Sequence, residues 1–86
     1  DITDLNSKSN KMFISPVPLQ DIMYVHGNFN AIKQLIVADI SGMIRIVKAD
    51  LKKSTGVDVS ILPEGIYFIR VVTDNGIYSK KVYKKR

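Results

Sequence analysis

Apolar and polar residues alternate with a period of two along most of this chain, and Gly, Pro or Asn interrupt the alternation roughly every eight to twelve residues. That rhythm belongs to short antiparallel strands joined by tight turns. No stretch carries the i, i+3, i+4 spacing of an amphipathic helix. Residues 11–15 read as a first strand, stopped by Pro16-Val17-Pro18, because proline donates no backbone hydrogen bond and fixes φ. Residues 22–26 form the next, ended by Gly27-Asn28. Residues 32–39 are almost continuously apolar, as in a strand covered on both faces, a pattern whose period alone also fits a buried helix segment. Asp39-Ile40-Ser41-Gly42 suits a type I turn, with Asp at its first position and Gly at its last. Residues 43–47 return as a fourth strand, placing Ile44 and Ile46 on one face and Arg45 on the other. After the polar loop at 48–56, Val57 and Val59 make a short fifth strand.

The second half is more strongly punctuated. Leu62-Pro63-Glu64-Gly65 fits a type I turn, with Pro second and Gly fourth. Residues 66–73 form the longest strand, with Tyr67, Ile69 and Val71 on one face and Phe68, Arg70 and Val72 on the other. A Leu-Pro turn before Tyr67 is similar to the tyrosine corner of immunoglobulin-like sandwiches, in which the ring packs inward and the hydroxyl binds upstream backbone. Asn75-Gly76 predicts a two-residue type I′ hairpin loop, which sets Ile69 opposite Val82 and Phe68 opposite Tyr83. The pattern therefore predicts an all-β fold, a small antiparallel immunoglobulin-like β-sandwich of about six to seven strands. A five-stranded barrel of the OB type is the structural alternative.

Composition narrows the function classes. Eighty-six residues make one small domain. Residues 1–10 are polar and aperiodic, the composition of a linker, which leaves 11–86 as the domain. With no Cys and one His, the chain offers neither a disulfide framework nor a zinc ligand set, and its eight acidic residues lack calcium-loop spacing. His26 has no sequence-adjacent nucleophile or carboxylate to make it a general base. Lys52-Lys53-Ser54-Thr55 lacks the glycine spacing of a phosphate-binding loop. Tyr24, Phe29, Tyr78 and Tyr83 would make a sugar-stacking surface only if they shared a face. These features assign no catalytic residue, no cofactor and no metal.

Net charge is +5, and five of the last seven residues are Lys or Arg. Lysines on a terminal strand blunt an exposed sheet edge, and they also offer charge to a partner. The remaining basic residues are scattered without a basic–aromatic recognition motif, which argues against nucleic acid.

Three segments in order carry a family resemblance: Ile14-Ser15-Pro16-Val17-Pro18-Leu19, then Leu35-Ile36-Val37-Ala38-Asp39-Ile40-Ser41-Gly42, then Val57-Asp58-Val59-Ser60 with Leu62, Gly65, Tyr67 and Val71, before a Lys84-Lys85-Arg86 end. Together they resemble the type A C-terminal sorting domain of the bacterial type IX secretion system. The resemblance covers residues 14–86. The first segment departs from the family pattern, with Ser15 in place of Tyr and Val17 in place of Asn. The resemblance marks Pro16, Pro18, Asp39, Gly42, Leu62, Gly65 and Tyr67 as motif positions, alongside the turn residues Asn75 and Gly76.

The resemblance implies a non-catalytic export label at the end of a longer precursor. Its partners would be the outer-membrane translocon and shuttle components, which would read Lys80, Lys81, Val82, Tyr83, Lys84, Lys85 and Arg86. It also implies a sortase-like cysteine peptidase acting in or near residues 1–10, anionic lipopolysaccharide as an attachment point for cargo, and passage through the periplasm to the surface of a Gram-negative Bacteroidetes-type cell. The competing class is an immunoglobulin- or fibronectin-like spacer, or a carbohydrate-binding module of a surface adhesin. A small nucleic-acid-binding barrel is the third.

Overall fold

A computed structural model describes residues 12–86; the polar stretch assigned as a linker lies outside the described residues. Seven strands follow in order: β1 (Met12–Ser15), β2 (Ile22–Gly27), β3 (Ala31–Asp39), β4 (Ile44–Lys52), β5 (Val57–Asp58), β6 (Gly65–Thr73) and β7 (Gly76–Lys84). They form two antiparallel sheets, β1-β2-β5 and β4-β3-β6-β7. This is the expected immunoglobulin-like sandwich, with the fourth strand in the sheet of the third, sixth and seventh.

One continuous core fills the space between the sheets. β1 and β2 contribute Ile14, Met23 and Val25; β3 contributes Leu35 and Val37; β6 contributes Tyr67, Ile69 and Val71. The alternate positions of β6 face outward, so Phe68 is half exposed while its neighbours Tyr67 and Ile69 are buried. Each of these fully buried aliphatic side chains stabilises the fold by about 1.5–3 kcal/mol relative to exposure. β7 adds only the half-buried Tyr78 and Val82. The outer face of β3 is partly open, with Ile36 and Ala38 half buried, so that strand is covered on one face and not on both.

The two Asp-x-Ser segments act as matching turn locks. Asp39 Oδ1 accepts hydrogen bonds from Ser41 N at 2.9 Å, Ser41 Oγ at 2.6 Å and Met43 N at 3.0 Å. Asp58 Oδ1 accepts from Ser60 N at 2.9 Å and Ser60 Oγ at 2.6 Å. At the first lock, Gly42 N donates to Asp39 O at 2.9 Å with Gly42 at φ +92°, a conformation that side chains with a Cβ resist. The β3–β4 register then skips Arg45 between the Val37–Ile46 and Ala38–Ile44 pairs. This bulge puts Ile44 and Ile46 on different faces, correcting the simple alternation, and Arg45 Nε reaches Asp39 Oδ2 at 2.9 Å. β4 also runs on to Lys52, through part of the segment the composition suggested was loop.

The tyrosine corner forms as expected. Tyr67 is buried, and its hydroxyl donates to Pro63 O at 2.7 Å. The hydrogen-bonded turn preceding it comes earlier than Pro63 suggested: Leu62 N donates to Val59 O at 3.0 Å, centring the turn on Ser60-Ile61. The β6–β7 hairpin differs by two residues from the expected register. Thr73 pairs with Gly76, so Asp74-Asn75 is the loop, and Ile69 lies opposite Lys80 while Tyr67 lies opposite Val82. Asp74 and Asn75 do not adopt positive φ; Gly76 does so at +140°, at the foot of β7. The loop side chains are occupied elsewhere. Asp74 Oδ1 accepts from Asn30 N at 3.1 Å, and Asn75 Nδ2 donates to Asn28 O at 2.7 Å, which pins the hairpin to the β2–β3 loop. A shift of two keeps every side chain on its face, so burial alone does not choose between the registers.

Two measurements check these locks. Tyr67→Phe, which removes one hydrogen bond, should cost about 1 kcal/mol, and Tyr67→Ala about 3–5 kcal/mol, both read from denaturant unfolding. The second concerns acid. Asp39 is lowered from 3.8 to about 2, chiefly by the Ser41 hydroxyl, with Arg45 and two backbone N–H groups assisting against partial desolvation. A carboxyl depressed in the folded state contributes stability above its unfolded pKa of about 3.9, and that stability is lost as pH falls toward 2. Asp39→Asn should lower Tm at pH 7 and flatten the fall in Tm between pH 4 and 2.

Candidate functional site

The proline segment and the last strand, far apart in sequence, come together on one side of the sandwich. Neither Pro16 nor Pro18 can donate to a ladder, so the chain leaves the first sheet after β1 and crosses toward the second. The Ser15–Pro16 and Val17–Pro18 peptide bonds are cis. Leu19 then buries its side chain and pairs in parallel with Lys84. Its N–H donates to Tyr83 O and its carbonyl accepts from Lys85 N, both at 2.8 Å. The end of β7 is therefore held by β6 on one edge and by Leu19 on the other.

Between these elements runs a groove of about 260 Å³, lined on one side by Phe13, Ile14 and the Pro16–Leu19 run, and on the other by Lys80, Lys81, Val82 and Tyr83. Val17 is 81% exposed and Phe13 56%. Both are apolar residues at outward positions, and that mismatch is the signal by which they could have been picked from the sequence. The groove is thus an apolar trough with lysines along one wall. Tyr83 donates its hydroxyl to Glu64, a bond that raises the phenol's pKa and ties the rim of the trough to the turn before β6.

The structure divides the basic end. Lys80, Lys81, Lys85 and Arg86 are exposed. Lys84 is 2% exposed, and its Nζ donates to Lys85 O at 3.0 Å. Its position on the inward face of β7 lays the aliphatic stem over the end of the core while the ammonium meets backbone carbonyl. The expectation that Lys84 forms a freely offered charge with Lys85 and Arg86 is corrected on that point.

Other candidates are placed elsewhere. Asp39 and Gly42 sit in the β3–β4 turn, Leu62 in the corner before β6, and Gly65 and Tyr67 at the start of β6, so these motif positions shape the fold and do not line the groove. Asn75 and Gly76 occupy the hairpin end. Phe29 is in the core, and Tyr78 and Tyr83, five residues apart on one strand, point to opposite faces, so the four aromatic residues do not form a stacking platform. Ser15 Oγ lies 2.7 Å from His26 Nε2, a pairing across β1 and β2 that sequence order did not suggest. It ties two strands near the proline segment. Among the described residues there is no group of three His, Cys, Asp or Glu side chains able to hold a metal.

Residues 13–85 match the family model described as the secretion system C-terminal sorting domain. No curated protein matches the chain. The match spans β1 through β7, including both walls of the groove.

The divided basic end yields a direct check. Lys84→Ser removes buried methylenes and should cost about 2 kcal/mol, whereas Lys84→Met should be nearly neutral. Lys85→Ser with Arg86→Ser should leave the unfolding midpoint unchanged. Equal stability of the Lys84→Ser and Lys85→Ser/Arg86→Ser proteins would show that Lys84 is not packed.

Proposed function

The chain belongs to the family of type IX secretion system C-terminal sorting domains, which direct export to the cell surface or extracellular space in Bacteroidetes, and we propose that its signal is the face built by β7 and the proline segment. In this reading the domain is a non-catalytic label. Cargo attached ahead of residues 1–10 crosses the periplasm with the domain folded. The outer-membrane translocon and its shuttle components bind the strip formed by Lys80, Lys81, Val82, Tyr83, Lys84, Lys85 and Arg86, with Lys84 acting through the shape of the strand and the others through contact. A sortase-like cysteine peptidase then cuts ahead of the domain, and the cargo is released or joined to anionic lipopolysaccharide.

The observation that carries this reading is the meeting of two separate family segments. Leu19, at the end of the proline run, and Tyr83, in the basic last strand, are 64 positions apart, yet Leu19 is hydrogen-bonded to both Tyr83 and Lys85. A fold that needed β7 only as an edge could close it with lysines alone. Here an exposed apolar trough is kept open beside it, with cationic side chains at the rim.

Cell fractionation of a cargo fusion tests the assignment. Deleting residues 82–86 should trap cargo in the periplasm, but it also removes Val82 and the Leu19 pairing, so folding is lost with it. The cleaner variant is Lys85→Ser with Arg86→Ser, which leaves the packed residues in place. It should fold normally and deliver less cargo to the surface. Unchanged surface delivery by both the truncated fusion and the Ser variant would overturn the assignment and favour an immunoglobulin-like spacer.

A further inference from the structure

The Leu19 pairing exposes what the rest of the β7 edge is able to bind. Because Tyr83 and Lys85 turn their backbone groups toward Leu19, the period of two along a strand turns those of Lys81, Ser79 and Ile77 to the same side. The intervening residues, Tyr78 and Lys80 among them, face Val71 and Ile69 of β6. Among the described residues, no backbone group pairs with Ile77, Ser79 or Lys81 on that outward edge. A parallel ladder is therefore begun at the end of β7 and left unfinished along the rest. The trough beside it holds space for side chains at the Lys80–Tyr83 end of that open edge.

We infer that a partner protein adds an extended segment as a new strand along β7, with apolar side chains entering the trough and neighbouring acidic side chains meeting Lys80 on one face of the sheet and Lys81 on the other. This inference rests on the reading of β7 as the recognition element and supplies its binding mode. Strand addition draws affinity from main-chain hydrogen bonds and specificity from the alternate side chains, and the two halves of that requirement are present here side by side. Charge selects the occupant. Lys80 and Lys81 lie on the open stretch, and no ion pair occupies either one among the described residues. A second copy of this chain pairing through the same edge would set lysines against lysines, which costs free energy. A strand carrying Glu or Asp at consecutive positions beside Lys80 and Lys81 gains it. The lysines thus close the edge to self-association and leave it open to an acidic partner.

Proline substitution separates the two edges of β7. Ser79→Pro removes an outward N–H and spares every bond to β6, a position where an edge strand tolerates proline. Lys80→Pro removes an N–H bonded to Ile69 and serves as the control that breaks the hairpin. In a cargo fusion carried by a cell with this secretion system, Ser79→Pro should keep its melting temperature and lower the surface-to-periplasm ratio of cargo at least tenfold. Lys80→Glu with Lys81→Glu, a surface change that leaves the fold in place, should lower it similarly, and Lys80→Arg with Lys81→Arg should preserve it. Folded Ser79→Pro cargo delivered at the normal ratio overturns strand addition. Normal delivery of the Glu pair overturns the acidic partner, and that pair decides the matter even if the proline variant does not fold. Because both leave residues 82–86 intact, normal delivery here together with reduced delivery by the folded Lys85→Ser/Arg86→Ser variant would reject the binding mode and retain β7 as the signal. Normal delivery by the truncated fusion rejects both.

Discussion

The inward row of β6 is the contact on which the rest of this domain depends. Tyr67, Ile69 and Val71 are buried in succession from the centre of one sheet against the other. β6 is flanked by β3 and β7, so its side chains close the core while its backbone holds both neighbours. The Tyr67 hydroxyl fixes where the strand begins by binding Pro63 O. β7 has little purchase of its own: it offers the core only the half-buried Tyr78 and Val82 and the stem of Lys84. Its position is inherited from β6, and its far end is secured by Leu19.

That dependence explains how a stable domain can carry the proposed signal at an edge. A strand buried on both faces and paired on both edges has nothing left to bind with. β7 is paired along one edge and at one end of the other, so it is ordered and still has main-chain groups and lysines to offer. The proline segment supplies the complementary condition. Because Pro16 and Pro18 cannot continue a ladder, they stop the first sheet from extending beside β7, and the resulting gap is the trough. Recognition of the proposed face would require the fold, because no short peptide cut from either segment would bring Val17 beside Lys81.

Strand order of this kind is legible because its signals are local. Alternation on β6, the Asp39–Gly42 turn and the tying of the Tyr67 hydroxyl to upstream backbone each draw on residues close in sequence, and each is found as read. The register of the last hairpin was not legible. Asn75-Gly76 favours one two-residue loop, but Asp74 and Asn75 are drawn to the β2–β3 loop by hydrogen bonds to residues more than 40 positions away. The bulge at Arg45 was not legible either, because simple alternation carries no mark of a skipped residue, and only the register shows Arg45 turned to the Asp39 turn lock. For the proposed recognition face, the sequence showed both participating segments but not their adjacency. Lys84 looked like its neighbours because composition does not reveal which face of a strand a lysine lies on until the register is known.

The central claim is that the secretion machinery contacts the trough side of the folded domain, and site-specific photo-crosslinking tests it most directly. A photoreactive residue would replace the exposed Val17 or Lys81 on the trough side, or the exposed Lys48 or Ile61 on the side of β4 and β5, in cargo halted during export. The account predicts crosslinks to outer-membrane secretion components from positions 17 and 81 and none from 48 and 61. Crosslinks confined to positions 48 and 61 would contradict it and move the signal to the opposite side of the sandwich.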